Sequence, residues 1–276
     1  MNIQSAEAKL AALKDILKSY GSVMIGLSGG VDSTFLVKVA SDTLGDKAVA
    51  ATALSYIYPS WESKEAEEIA NSLGIEYIRM PFDPIKEVEG FEMNPKDRCY
   101  ICKKKVFSIL KSKAADMGIA YVADGTNADD INDYRPGLRA LRELEIRSPL
   151  LEAGLTKEEI RYLSKQLGLN TFSKPSFACL ASRIPYGDRI TKEQLQMIEK
   201  AETFILSKGF KNVRVRCHGN LARIELNNGD MNKALDEGMR SEISRELKSI
   251  GFEYVSLDLS GYRTGSMNVG VTAKDE

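Results

Sequence analysis

The sequence predicts an α/β fold: a parallel sheet with helices on both faces, followed by a smaller C-terminal α/β unit. Three observations point there. Short β-rich runs alternate with helical patterns through the first half, and a glycine-rich segment joins an apolar run to a helix. The alternation then breaks between Asn170 and Asp188, where two prolines and several small residues cluster. A junction in that stretch divides the chain into a domain over 1–175 and a smaller one over 176–276.

The N-terminal stretch reads as an amphipathic helix ended by Gly21 and carries no continuous apolar core of a signal peptide. Ser22–Leu27, Ala48–Leu54, Glu76–Met80 and Ala120–Asp124 read as strands. Val31–Leu44, Trp61–Leu73, Lys103–Met117 and Lys157–Leu167 read as the helices between and after them. Strand-helix-strand crossovers of this kind bury a parallel sheet, and ligands of such folds bind beyond the carboxyl ends of the strands. In the second unit a helix is expected over Lys192–Lys208 and strands over Val213–Cys217 and Leu221–Leu226. A helix over Met231–Lys248 and a strand over Tyr254–Leu259 complete it.

Composition narrows the function. Lys and Arg number 38 against 39 Asp and Glu, a net charge of −1, which argues against a dedicated nucleic-acid binder. No apolar run approaches the ~20 residues that span a membrane, so the expected location is the cytoplasm. Four cysteines are too few for a disulfide scaffold, and with one histidine a metal site must rest on cysteines and carboxylates.

The most informative segment is Ser28-Gly29-Gly30-Val31-Asp32-Ser33. Adjacent glycines let the backbone turn sharply and approach a ligand, and the helix N-terminus behind them offers free N–H groups to an anion. No Gly-Lys-Ser/Thr ending follows, so this is not a Walker loop. An ordinary turn capped by Ser28 is the plainer reading of a bare Gly-Gly. A second loop, Asp124 to Asp130, follows the fourth expected strand and opens on the same sheet edge. Two readings of it stand: Gly125 and Thr126 meet a ligand and Asp129 a metal, or the run is a polar turn of the kind Asn and Asp favour.

Cys99 and Cys102 are separated by two residues and flanked by cations that favour thiolate. Alone, such a pair reads as half a zinc site, a redox pair or a chance spacing. Cys179 lies in the junction loop, and three cysteines suffice for a [4Fe-4S] cluster with one iron free of protein ligands. A structural zinc site takes four ligands. Cys217, within an expected strand, reads as structural.

The six-residue loop resembles the PP-loop ATP pyrophosphatases. That resemblance implies ATP cleaved between its α and β phosphates, with Ser28, Gly29, Gly30 and Ser33 cradling phosphate, Asp32 helping to hold Mg²⁺, and Ala53 and Leu54 lining the adenine. The longer matches resemble the LarE family of ATP-dependent sulfur transferases in its [4Fe-4S] branch. They are Asn132 to Leu138, Ser182 to Gly187, Val213 to His218, Ala222 to Leu226 and the Leu257 to Asn268 tail. The resemblance implies a pyridinium dicarboxylate mononucleotide whose carboxylates become thiocarboxylates in nickel-pincer nucleotide biosynthesis. It implies Arg183, Arg214 and Arg216 as the substrate-phosphate anchor, Cys99, Cys102 and Cys179 as cluster ligands, and Tyr100, Lys104 and Glu202 at active-site positions. Lys103 and Lys105 compete with Lys104. A solvated basic strand face is the alternative for Arg214 and Arg216. The family also implies an external sulfide donor and a homo-oligomer, up to a hexamer. Sacrifice of Cys179 as the sulfur donor is the lesser alternative to a cluster. A tRNA thiolase, an amide-forming ligase and a non-enzymatic nucleotide sensor are the competing functions.

Overall fold

Runs such as Val-Met-Ile and Ala-Val-Ala-Ala, rich in β-branched and small apolar residues, form strands buried on both faces, as the central strands of a parallel sheet must be. In the computed structural model, which describes residues 2–132, 136–175, 178–263 and 265–267, these strands lie inside a layered first unit. The elements follow in the order α1 (Ile3–Tyr20), β1 (Val23–Gly26), α2 (Val31–Leu44), β2 (Ala48–Leu54), α3 (Ser60–Ser72) and β3 (Glu76–Pro81). Then come α4 (Pro84–Glu87), α5 (Arg98–Asp116), β4 (Tyr121–Ala123), α6 (Gly137–Glu143), α7 (Pro149–Glu152) and α8 (Lys157–Gln166). The chain continues with α9 (Lys192–Ser207), β5 (Arg214–His218), β6 (Leu221–Glu225), α10 (Met231–Leu235), α11 (Glu237–Ile250) and β7 (Tyr254–Leu257).

The chain divides into two compact units, Met1–Val88 with Asp97–Phe177, and Glu89–Lys96 with Ala178–Glu276. The first holds a parallel four-stranded sheet in the order β3-β2-β1-β4. Side chains alternate across it. Val23, Ile25, Ala48, Ala50 and Ala123 join one core with Leu13, Leu17, Phe35, Leu36, Ile160 and Leu163 from α1, α2 and α8. Met24, Val49, Ala51 and Val122 join the other with Phe107, Leu110 and Leu141 from α5 and α6. Each fully buried Leu, Ile or Phe contributes roughly 1.5–3 kcal/mol. Helices on both faces are the expected arrangement. Because the strands are parallel, the loops after β1, β2 and β4 all leave the same sheet edge.

The second unit holds a three-stranded sheet, β5-β6-β7, antiparallel then parallel. Its register sets Val215, Cys217, Ala222 and Ile224 on one face and Arg214, Arg216, Arg223 and Glu225 on the other. The unit takes in Glu89–Lys96 from the first half of the chain. Buried Asn94 donates from Nδ2 to the carbonyls of Ile184 (3.2 Å) and Pro185 (2.6 Å), and its own carbonyl accepts from Gly187 N (3.0 Å).

Three differences from the expected elements have local causes. Helix α5 begins at Arg98, five residues before the expected start, so Cys99 falls in its first turn and Cys102 at the start of its second. The helix expected over Met231–Lys248 is two helices broken at Asp236. Its backbone there is extended, and its carboxylate accepts from Gly238 N (3.1 Å) and Met239 N (3.2 Å), an N-cap inside the apolar periodicity. The last strand stops at Leu257, and Leu259 beyond it is 90% exposed. Among the described residues no helix is long and apolar enough to cross a membrane.

Candidate active site

The first candidate region is the segment between β1 and α2. Gly29 has φ +71°, and a Cβ there would lie 3.3 Å from the carbonyl oxygen of Glu62, so the turn demands glycine on two grounds. The loop is tied by its own residues. Ser33 Oγ lies 3.0 Å from Ser28 Oγ and accepts from Ser28 N (3.2 Å), while Ser28 Oγ accepts from Gly30 N (3.4 Å). Helix α2 then starts without a side-chain cap, leaving N–H groups at its first turn for an anion.

Asp32 stands in that first turn. One carboxylate oxygen pairs with Lys157 Nζ; the other, Oδ1, is buried and has no hydrogen-bond partner among the described residues. A buried, unpartnered carboxylate oxygen beside an anion cradle fits a hard divalent cation such as Mg²⁺.

The second loop presses directly on the first. A Cβ on Gly125 would lie 2.9 Å from Ser33 N and 3.2 Å from Ser33 Cα, so only glycine permits this approach. Asp124, 5% exposed, organises the loop. Its carboxylate accepts from Thr126 Oγ1 (2.6 Å), Thr126 N (3.2 Å) and Ser148 Oγ (2.7 Å), and pairs with Lys103 Nζ at 3.1 Å. Asp129 accepts from Lys157 N (2.8 Å), holding the N-terminus of α8. Ala53 and Leu54 are the last two residues of β2, on the same sheet edge.

Of the lysine run on α5, Lys103 faces the loop through Asp124. Lys104 lies on the outer side with Glu143 (2.6 Å) and Tyr100 Oη (2.9 Å), and the hydrogen bond to Glu143, then that to Tyr100, raises its pKa. Tyr100 stacks beneath Arg139, whose guanidinium carbon is 3.7 Å from the ring centre. Two further lysines border the site. Lys157 meets Asp32, and Lys174 donates to Gly29 O (2.9 Å), pairs with Glu65 and sits over the Trp61 ring at 5.1 Å. Lys157 and Asp32 are 125 residues apart, and no local pattern marks either lysine.

In the second unit Cys179 is half-buried and precedes a 3₁₀ turn, Leu180–Arg183. Arg183 is fully buried. Its guanidinium meets both oxygens of Glu202 at 2.9 Å and donates to the carbonyls of Ala178 (2.6 Å) and Cys179 (3.1 Å) and to Ser182 Oγ (3.0 Å). Glu202 also accepts from Val215 N (2.9 Å), an outward N–H of edge strand β5.

Arg216 donates to Glu225 (2.7 Å), Ser266 Oγ (2.9 Å) and Ser182 O (3.1 Å). Arg223 pairs with Asp258 (2.8 Å) and Glu225 (3.4 Å). Arg214 lies over the Tyr262 ring at 5.1 Å; burial first, then the charge of Arg183, lowers its pKa from the usual arginine value. Four guanidiniums (Arg183, Arg214, Arg216, Arg223) thus group with three carboxylates (Glu202, Glu225, Asp258); Arg214 and Arg216 on the strand are buried and Arg216 is networked, whereas Arg223 and Asp258 are only half-buried.

Cys99, exposed, and Cys102, buried, stand three residues apart near the N-terminus of α5, on neighbouring positions of the helix surface. Among the described residues no group of three or more His, Cys, Asp or Glu side chains is placed to hold a metal ion. Cys217 is buried and its thiol pushed up to about 11, chiefly by burial, as suits a structural residue. Asp133, Tyr134 and Arg135 of the Asn132–Leu138 match, and Asn268, lie outside the described residues.

Comparison with known proteins places these regions in context. A family model described as NAD synthase matches residues 6–108. The chain is 40% identical to an uncharacterized Synechocystis protein, slr1717, over 95% of this chain and 97% of that one. It is 38% identical to pyridinium-3,5-bisthiocarboxylic acid mononucleotide synthase of Lactiplantibacillus plantarum, over 95% of this chain and 93% of that one. It is 28% identical to tRNA-specific 2-thiouridylase MnmA of Acetivibrio thermocellus, over 68% of this chain and 63% of that one.

Proposed function

The chain belongs to the LarE family of ATP-dependent sulfur transferases, and from this premise we propose that it converts the carboxylates of pyridinium-3,5-biscarboxylic acid mononucleotide to thiocarboxylates. The near end-to-end likeness to a pyridinium-3,5-bisthiocarboxylic acid mononucleotide synthase carries the reading. In the first half-reaction a substrate carboxylate oxygen attacks the α-phosphorus of ATP, the bond to the bridging oxygen breaks, and pyrophosphate leaves. In the second a sulfur nucleophile attacks the acyl carbon, and AMP departs with the oxygen.

Each step has residues suited to it. The N–H groups and hydroxyls of Ser28 to Ser33 bind phosphate, and the sheet edge at Ala53, Leu54, Gly125 and Thr126 receives the rest of the nucleotide. Asp32 Oδ1, buried and without a partner among the described residues, would hold Mg²⁺, which would supply charge neutralisation for the triphosphate, and Lys157 pairs with the other oxygen of the same carboxylate. Among the α5 lysines we assign the phosphate contact to Lys103, whose ammonium faces the Asp124 loop. Arg214 and Arg216 take the substrate phosphate, supported by the excess of guanidiniums over carboxylates around them.

For sulfur delivery the support is donor chemistry: Cys99, Cys102 and Cys179 are soft ligands suited to iron. These three thiolates would hold a [4Fe-4S] group, which would supply the site for an external sulfide. A homo-oligomer remains part of the proposal.

Anaerobically purified protein with MgATP, sulfide and the biscarboxylate nucleotide tests it. Expected are pyrophosphate release that requires the nucleotide, a thiocarboxylate product by mass spectrometry, and about four irons per chain, lost on Cys99→Ala, Cys102→Ala or Cys179→Ala. Thiolation of tRNA in a parallel reaction that contains it, with no thiocarboxylate formed from the nucleotide, would overturn the substrate. Zinc in place of iron, or dehydroalanine at Cys179 after one turnover, would overturn the cluster.

A further inference from the structure

The family resemblance implies Arg183 as a phosphate anchor, yet its surroundings are those of a clamp. It is fully buried, and Glu202 on α9 grips its Nε and Nη2 while Nη1 reaches back to the carbonyls of Ala178 and Cys179 and to Ser182 Oγ. Glu202 is itself fixed by Val215 N, so the guanidinium is referenced to edge strand β5. Arg216, two positions along from Arg214 on that strand, adds a second tether to the same turn through Ser182 O (3.1 Å).

We propose that Arg183, held by Glu202, is a positioning residue that fixes the backbone of the Cys179 turn and so aims the Cys179 sulfur, while substrate phosphate binding belongs to Arg214 and Arg216. A planar fork is needed: it bridges a bidentate carboxylate on one edge and two successive carbonyls on another, which a point charge does not. The cost of desolvating both ions makes a buried pair a poor source of stability compared with an apolar packing of similar volume. Its use here lies in geometry. The proposal rests on the reading of Cys179 as the residue that carries or ligates the transferred sulfur.

The test uses the full-length protein with Arg183→Lys and, as the near-isosteric alternative, Glu202→Gln. Measured for whichever variants melt cooperatively are kcat and KM for the nucleotide substrate, ATP affinity by calorimetry, and the iodoacetamide alkylation rate of Cys179 after chelation, with Cys99 as internal reference by peptide mass spectrometry. Misaiming a reacting atom by an ångström costs about 100-fold. The expected result is a loss of that order in kcat with KM for the nucleotide and ATP affinity unchanged, and a changed Cys179 alkylation rate while that of Cys99 stays constant.

Unchanged kcat and unchanged Cys179 reactivity would overturn the proposal. So would a raised KM with Cys179 reactivity intact, which would restore Arg183 to the phosphate. If Cys179→Ala transfers sulfur at the wild-type rate, the underlying reading of Cys179 fails instead, and the Arg183 proposal falls with it.

Discussion

The Ser28–Ser33 loop and the Cys179 turn are both short irregular segments that precede a helical turn, yet they are held in opposite ways. Ser28, Gly30 and Ser33 bond to one another within six residues, and although Lys174 and Lys157 reach Gly29 O and Asp32 from far along the chain, Asp32 Oδ1 and the first-turn N–H groups of α2 stay available. The Cys179 turn is held through Arg183 by Glu202, 19 residues on, and by Arg216, 34 residues from Ser182. A loop tied to itself can keep donors open for a ligand, and a turn tied to distant buried ions is fixed before any ligand arrives. The first arrangement suits a nucleotide that comes and goes; the second suits a sulfur that must be aimed.

The comparison is broken most severely at the buried ions. Glu225 is fully buried and receives Arg216, Arg223 and Ser266. Glu225→Ala strands Arg216 without its carboxylate and is expected to cost about 3–5 kcal/mol in a urea titration. A loss no larger than that of a surface substitution would mean that the network is not what holds this face. At the self-tied loop, Gly125→Ala drives a methyl group against Ser33 N, with an expected loss of about 1–3 kcal/mol. Weakened ATP binding in isothermal calorimetry should accompany it.

Alkaline pH sharpens the contrast between the units. Tyr20 in the first has its phenol pushed up to about 12, chiefly by burial, and Cys217 in the second is pushed up to about 11 for the same leading reason. Both are neutral when folded and ionise more easily unfolded. The stability they contribute is therefore present below their unfolded pKa and is lost as pH rises, from 9.0 to about 11 for Cys217 and from 10.0 to about 12 for Tyr20. Cys217→Ala should flatten the lower part of that decline in a series of melts from pH 8 upward. The smallest effect is expected where neither device operates: the exposed Arg79–Glu67 pair (2.7 Å), whose removal by Arg79→Ala should change stability by ~0.5 kcal/mol or less.

What could be read from the sequence follows the same division. The strand-loop-helix at Ser28–Ser33, the parallel sheet, Gly21 as a helix end and the β5–β6 pair all rest on patterns within a few residues. Asp236 shows the limit of periodicity: the apolar spacing continues across it, and only its capping chemistry reveals the break. Partners such as Lys157 for Asp32, Lys174 for Gly29 and Glu202 for Arg183 depend on which elements the fold brings together. Asn94 and its segment are the extreme case, since nothing local marks residues 89–96 as belonging with the C-terminal unit. Arg183 could be singled out from a motif, but whether it faces a phosphate or a carboxylate is a property of its buried surroundings.

In the proposed reaction one unit activates a carboxylate with ATP while the cysteine turn of the other serves sulfur transfer. Cys179→Ala tests it most directly, assayed with MgATP, sulfide and the biscarboxylate nucleotide for pyrophosphate and thiocarboxylate in the same reaction. Nucleotide-dependent pyrophosphate release should persist while the thiocarboxylate disappears. Thiocarboxylate formed at the wild-type yield, or pyrophosphate release abolished in a variant that still binds ATP, would contradict the account.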